Sequence, residues 1–368
     1  MKIILKARRA LPYLLAACMF LPWTGGAEPA SQTLPGPRSR TFEMTYKSTL
    51  PVLPAGSSRG YLWIPVPPNT PYQTITGLRI VAASPYEQVS EMKYGNRAYR
   101  FPLAARKDSV VMTFRVTRSE HIHRPGLPPA LPHGNGSSHI PAEDPTVWLH
   151  ADQRVPLDAT IRQWARRTVA GRRTDAAKAK AIFDYAVDNL IYDKSGSGWG
   201  KGDIYWACDA KRGNCTDFHA LFTGFSRAVG IPARFEIGFP VPAERPRGRI
   251  AGYHCWAEFY LPGEGWIPVD VSEAQKHPHR RAYFFGAHDA HRVLFTVGRD
   301  LTFPAMKGEP LNFFVYPYAE GDGHPLGKVA WELTYREAPE QPSLARSHAG
   351  AAAGEVGTKA AGEEAPRP

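Results

Sequence analysis

Three side chains in this sequence have the types and order that thiol chemistry requires: Cys215, His254 and Asp270. A cysteine attacks carbonyl carbon as a thiolate, which needs a neighbouring imidazole. The imidazole needs a third group to fix its tautomer and orientation. Cys215 lies near the start of residues 213–239, GNCTDFHALFTGFSRAVGIPARFEIGF. There Phe218, Leu221, Phe222, Phe225, Ala228 and Val229 recur at the spacing of a one-faced helix. Asn214 occupies an N-cap position, and Gly230 with Pro232 supplies the stop. Cys215 is therefore expected on the first helical turn. Unpaired N–H groups and the helix dipole favour a thiolate there, and its own N–H is a natural oxyanion donor. Trp199, Tyr205 and Trp206 are candidates for a second donor.

The partners depend on a sheet. Phe235, Ile237 and Phe239 alternate as in a half-buried strand. Residues 252–260, GYHCWAEFY, read as a second strand, turned back at 262–265, PGEG, into Trp266–Asp270. Such a hairpin sets Asp270 opposite His254 or Trp256, with His254 and Asp270 on one face. By parity Glu258 and Trp256 share that face and either line a cleft or pack. His219 and Asp217 read as supporting or surface residues. A rival reading makes Cys215 and His219 metal ligands, joined by Cys208, His254 or Cys255. The C-x6-C-x3-H spacing matches no common zinc pattern. Histidines 121, 123, 133 and 139 fall in a Pro/Gly/Ser-rich tract and are expected to be solvated. The glycine-rich loop 195–202, SGSGWGKG, fits neither a P-loop nor a dinucleotide fingerprint, so no cofactor is implied.

The rest of the chain is read as context for these elements. Residues 1–27 resemble a signal peptide, with Lys2, Lys6, Arg8 and Arg9 before an apolar run and small residues at 25–27. Leu15-Ala16-Ala17-Cys18 offers an alternative lipobox, and membrane attachment is expected only if Cys18 is lipidated. Either path leads to the periplasm or beyond. Residues 28–40 read as a linker and 41–120 as a β-rich N-terminal domain of short strands. Residues 121–155 read as a Pro/Gly/His-rich linker, 156–290 as the core, 291–337 as C-terminal strands and 338–368 as a disordered tail. Within the core, Asp158 and Thr174 mark the starts of two helices. Cys208, Cys215 and Cys255 remain once Cys18 is assigned to the leader, and if Cys215 is free, Cys208 and Cys255 are the possible disulfide. The net charge of +11 is scattered, without an arginine-rich arm or zinc finger. That argues against nucleic acid; a mild bias toward anionic surfaces such as cell-wall polymers or lipid head groups remains, with solubility alone the preferred reading.

The order Cys…His…Asp, with the motifs quoted around Cys215, His254 and Asp270, resembles the transglutaminase-like superfamily over about residues 157–270. The resemblance implies an α+β chain: an N-terminal antiparallel β domain before a papain-like core in which the cysteine helix packs on an antiparallel sheet. It also implies Cys215 as nucleophile, His254 as general acid/base and Asp270 as orienting carboxylate. The partner implied is a protein or peptide substrate, attacked at an amide through a thioester, with hydrolysis favoured over transfer to an amine. The alternatives within the same resemblance are a protein cross-linker and a non-catalytic surface-binding or assembly module.

Overall fold

The computed structural model describes residues 38–125 and 144–339. The expected signal peptide at 1–27, Cys18, most of the expected linker at 28–40, His133, His139 and residues from 340 on, where a tail was expected, lie outside them.

In chain order the first strands are β1 (Ser39–Leu50), β2 (Gly60–Val66), β3 (Gln73–Ala82), β4 (Glu87–Ser90), β5 (Arg97–Pro102), β6 (Asp108–Ser119) and β7 (His121–Ile122). Then come α1 (Ala159–Thr168), α2 (Asp175–Asn189), β8 (Ile191–Tyr192), α3 (Ile204–Ala210), β9 (Arg212–Gly213) and α4 (Cys215–Ala228). Next in the chain are β10 (Ala233–Pro240), β11 (Arg247–Ile250), β12 (His254–Leu261) and β13 (Gly265–Val269), ending at α5 (Val271–Lys276); β10, β12 and β13 belong to the sheet that faces α4, and β11 pairs with the last strand. The chain closes with β14 (Ala287–His288), β15 (Arg292–Val297), β16 (Tyr318–Gly321), β17 (His324–Pro325) and β18 (Trp331–Ala338).

The fold is α+β, as expected, and its sheets are antiparallel except for the short β8–β9 pair. Four strands in the order β13-β12-β10-β15 make the central sheet. The β12–β13 hairpin pairs Ala257 with Val269 and Leu261 with Gly265, so Asp270 leaves the sheet level with Trp256. Alternation along β12 sends Ala257 and Phe259 toward α4, where Phe259 meets Phe222 edge-on at 6.1 Å. His254, Trp256 and Glu258 have the opposite parity.

The strands of 41–120 do not form a sheet of their own. β1 lies between β6 and β18, so Thr41 is opposite both Thr117 and Ala338. β2 likewise lies between β5 and β16. The two ends of the described chain thus share both five-stranded sheets. Their apolar faces merge with the central sheet in one core, where Tyr46 packs on Phe239 and Phe295. β1 begins at Ser39, two residues before the alternation in sequence becomes visible.

Helix α4 is buried all round rather than on one face. It is covered by α1, α2 and α3 on one side and by β10 and β12 on the other. Its polar residues bond inward, so the sequence moment understates burial. Thr223 donates to the His219 carbonyl at 2.7 Å, and Arg227 reaches Asp152 at 2.7 Å and the Ala233 carbonyl at 2.8 Å.

Candidate active site

The start of α4 is specified by a capping box. Asn214 Oδ1 accepts from the Thr216 N–H at 2.9 Å, and Asp217 reaches back to the Asn214 N–H at 2.9 Å. Asp217 also accepts from the N–H groups of Gly200 and Gly202, at 2.7 and 2.9 Å, which ties the glycine-rich loop to the helix end. Gly213 is needed for this. A Cβ there would lie 2.3 Å from Asp217 Oδ2. At the far end Gly230 takes φ +86°, the left-handed stop expected from sequence.

Cys215, on the first turn, is 2% exposed. The structure brings it together with His254 and Asp270. His254 lies beside Cys215, acting on its thiol, and its Nε2 lies 2.7 Å from Asp270 Oδ2. Asp270 is the N-cap of α5, and every lone pair has a claimant. Oδ1 accepts from the Glu273 N–H at 3.0 Å and the Ser272 hydroxyl at 3.2 Å, and Oδ2 accepts from Arg292 at 2.9 Å as well as from His254.

The charges follow from these contacts. Burial opposes a charged Cys215, but hydrogen bonds from Cys255 and His254 and the His254 charge hold its pKa well below the usual thiol range. Burial also opposes a charged His254, yet Asp270 and Cys215 push it up to about 10. Asp270 is held well below the carboxylate range: burial is outweighed by His254 and Arg292. These shifts all favour a thiolate, an imidazolium and a carboxylate in a row.

The roles of His219 and Cys255, left open by the sequence, are settled by their contacts. His219 is wholly buried. Its Nδ1–H donates to the Cys215 carbonyl at 2.8 Å, and its Nε2 accepts from the Val271 N–H at 3.1 Å. That fixes a neutral tautomer joining α4 to α5, and burial lowers the His219 pKa accordingly. Cys255 lies 3.7 Å from His219 Nδ1 and helps lower the Cys215 pKa. It is a free thiol, as are Cys208 and Cys215, so the possible Cys208–Cys255 disulfide is not formed. The two belong to different packing regions, Cys208 beside the helices and Cys255 beneath Cys215. Of the candidate second oxyanion donors, Trp199 donates to the Gly196 carbonyl at 3.1 Å and Tyr205 to Asp158 at 2.6 Å. Trp206 Nε1 is buried without a hydrogen-bond partner among the described residues.

His121 overturns the expectation of a solvated loop histidine. It is buried in β7, paired with His288 of β14, and its Nδ1 lies 2.9 Å from Glu258 Oε1. A tract read as punctuation by composition is drawn in because β14 gives it a strand partner. Glu258 also pairs with Arg234, and Trp256 donates to Glu236. Both parity-matched residues of β12 thus serve a buried polar cluster. Two groups have the proximity of metal ligands: His121, Glu258 and His288, and His254, Asp270 and Glu273. In the first, Arg118, Arg234 and Arg292 surround the histidines and oppose a cation. In the second, Nε2 of His254 is committed to Asp270. Neither donor set fits a cation well.

Comparison with known proteins gives a consistent picture. The family model described as the transglutaminase-like superfamily matches residues 162–271. An uncharacterized protein of Haemophilus influenzae is 28% identical over 323 residues, covering 77% of this chain and 86% of its own length. The YebA protein of Bacillus subtilis is 26% identical over 115 residues, 27% of this chain and 16% of that protein. A crystal structure from Cytophaga hutchinsonii, provisionally named a cysteine protease, aligns with a TM-score of 0.53 at 17% identity. That alignment covers 83% of this chain and 93% of the other. Residues 162–271 thus match the transglutaminase-like model, and the fold resembles that of the Cytophaga structure.

Proposed function

Starting from a transglutaminase-like core at 162–271, we propose that this chain is an exported thiol enzyme acting on an amide or peptide bond. Cys215 attacks the carbonyl carbon, and the backbone N–H of Cys215 receives the developing oxyanion. His254 gives its proton to the leaving amine, and a thioester forms on Cys215. Water, deprotonated by His254, then hydrolyses the thioester and restores the thiolate. Asp270 holds the imidazole in place throughout. The observation that carries this reading is the grouping of Cys215 at the start of α4 with His254 and Asp270, the last two 2.7 Å apart, and the lowered Cys215 and raised His254 pKa values support it. Hydrolysis is favoured over amine transfer because water needs no second binding site. Export rests on the basic and apolar pattern of residues 1–27, and a peptide of the cell envelope is the substrate class we favour.

The test compares wild type with Cys215→Ala on a panel of peptides and glutamine amides, with and without a primary amine. Turnover that vanishes in Cys215→Ala, with free acid as product, supports the reading. Equal turnover in the two proteins overturns the nucleophile. Product that carries the amine replaces hydrolysis with transfer.

A further inference from the structure

The side of the central sheet away from α4 carries a second polar centre. Arg234 and Glu236 of β10 share this side with Trp256 and Glu258 of β12, in the cross-strand pairs Arg234–Glu258 and Glu236–Trp256. A cavity of about 140 Å³ opens here, between these glutamates and Trp266 on one wall and Tyr72, Arg118 and His121 on the other. A cavity of about 150 Å³ is large enough to hold benzene.

The carboxylates in this cavity are all engaged. His121 holds Glu258 Oε1 at 2.9 Å and Arg234 holds Oε2. Arg234 Nε lies 3.1 Å from Glu236 Oε1, and Trp256 donates to Oε2. Arg118 is left over. It is 3% exposed, lines the cavity, and has no hydrogen bond or ion pair from its guanidinium among the described residues. Glu236, Glu258 and Asp289 act on it only through space. A guanidinium has five donors and cannot shed its charge to escape burial. Leaving one buried and unpaired is costly, so such a group calls for an anion or a shell of ordered water. Burial presses even its high pKa down to about 10.

The walls narrow the class of anion. Tyr72 stacks on His121 with centroids 3.6 Å apart, and Trp266 covers Arg234 at 4.3 Å. Leu294 and Pro71 add apolar surface. The two glutamates would repel a multiply charged oxyanion. A single negative charge on a compact apolar body meets both the guanidinium and the walls.

We propose that this cavity binds a small monocarboxylate, either a free acid or the C-terminal carboxylate of a peptide, with Arg118 as its charged partner. The guanidinium fork matches a carboxylate edge. The site is separate from Cys215, and its occupancy does not require that Cys215 react.

The experiment is calorimetric titration of the full mature chain with acetate and benzoate, with benzyl alcohol and sulfate as controls. A dipeptide with a free or an amidated C-terminus forms a further arm. The same titrations are run on Cys215→Ala, so that binding is scored apart from turnover. Saturable binding of benzoate or of the free-terminus dipeptide is expected, at least tenfold weaker for the matched neutral compound. Preference for benzoate identifies the source as a free acid, and preference for the dipeptide identifies a chain end. Arg118→Met should weaken binding at least tenfold. Since Arg118 has no partner to lose, this variant should unfold at a temperature no lower than wild type. If it does not fold, the Arg118 side-chain nitrogen resonances of wild type, followed by NMR during the titration, give the same answer by their shift. No saturable binding by any carboxylate, equal binding of sulfate, or an unchanged Arg118 resonance at saturation would each overturn the proposal.

Discussion

Two of the buried histidine–carboxylate pairs among the described residues look alike and are shifted in opposite directions. His254 meets Asp270 at 2.7 Å, and His121 meets Glu258 at 2.9 Å. Burial opposes charge on both imidazoles. His254 nonetheless rises to about 10, whereas His121 falls below its ordinary value. The difference lies in what else faces each ring. His254 sits between two anions, the Asp270 carboxylate and the Cys215 thiolate. His121 shares its one carboxylate with Arg234 and also feels Arg118, so two cations offset a single anion. A histidine beside a carboxylate is therefore no sign of an acid–base catalyst by itself. The sum of charges around the ring decides its protonation.

The largest test removes the anion that distinguishes the first pair. Asp270→Asn leaves His254 a hydrogen-bond partner of similar shape but without charge. His254 should lose its proton near neutral pH, and Cys215 should return toward an ordinary thiol. Turnover on any amide substrate found should fall on the order of 10³- to 10⁴-fold, the usual cost of a mis-set catalytic imidazole. Iodoacetamide should modify Cys215 at pH 6 much more slowly than in wild type. An unchanged rate at pH 6 would mean that Asp270 does not maintain the ion pair.

Arg292 gives the next effect. It bridges Asp270 at 2.9 Å and Asp289 at 3.2 Å, with its guanidinium over the Trp256 ring. Arg292→Gln leaves two buried carboxylates with one cation fewer, at a cost of about 3–5 kcal/mol in denaturant unfolding. A loss under ~1 kcal/mol would show that His254 alone satisfies Asp270.

In wild type the two reactivities of the Cys215 site should part at high pH. Alkylation needs only the thiolate, so its rate should hold from well below the usual thiol range through pH 10. Turnover also needs the imidazolium as acid and should decline above about 10, where His254 loses its proton. Parallel decline of both rates would assign the alkaline limb to something other than His254.

The contrast also shows what the sequence could reveal. The Cys215 site was legible because each part has a local signature: Asn214 and Gly230 bound a helix, and a turn at 262–265 fixes the register that brings Asp270 to His254. Parity along β12 even put Glu258 and Trp256 beside His254. Their partners were not legible. Arg292 and His121 arrive through β15 and β7, whose pairings span long separations in the chain. The same holds for β1 and β18, which alternate plainly as strands while nothing local says that the described ends pair. Capping and turns act over a few residues. Which distant strands meet is decided by total burial, and no short motif records it.

The smallest test moves His121 toward the behaviour of His254. Arg234→Gln takes away the cation that shares Glu258, so the carboxylate acts more fully on His121 and its pKa should move upward. The sign can be read in stability. In wild type the folded His121 resists protonation while the unfolded chain accepts a proton below about 6.5, so this pair loses stability as pH falls through that range. The His254 pair has the opposite slope: its contribution is complete below about 6.5 and is lost as pH rises toward about 10. Arg234→Gln should flatten the acid-side loss and leave the alkaline slope untouched. Histidine titration by NMR beside denaturant unfolding at pH 5, 7 and 9 separates the two slopes. A His121 that titrates no higher in the variant than in wild type would mean that Arg118 and burial, rather than competition for Glu258, keep it neutral.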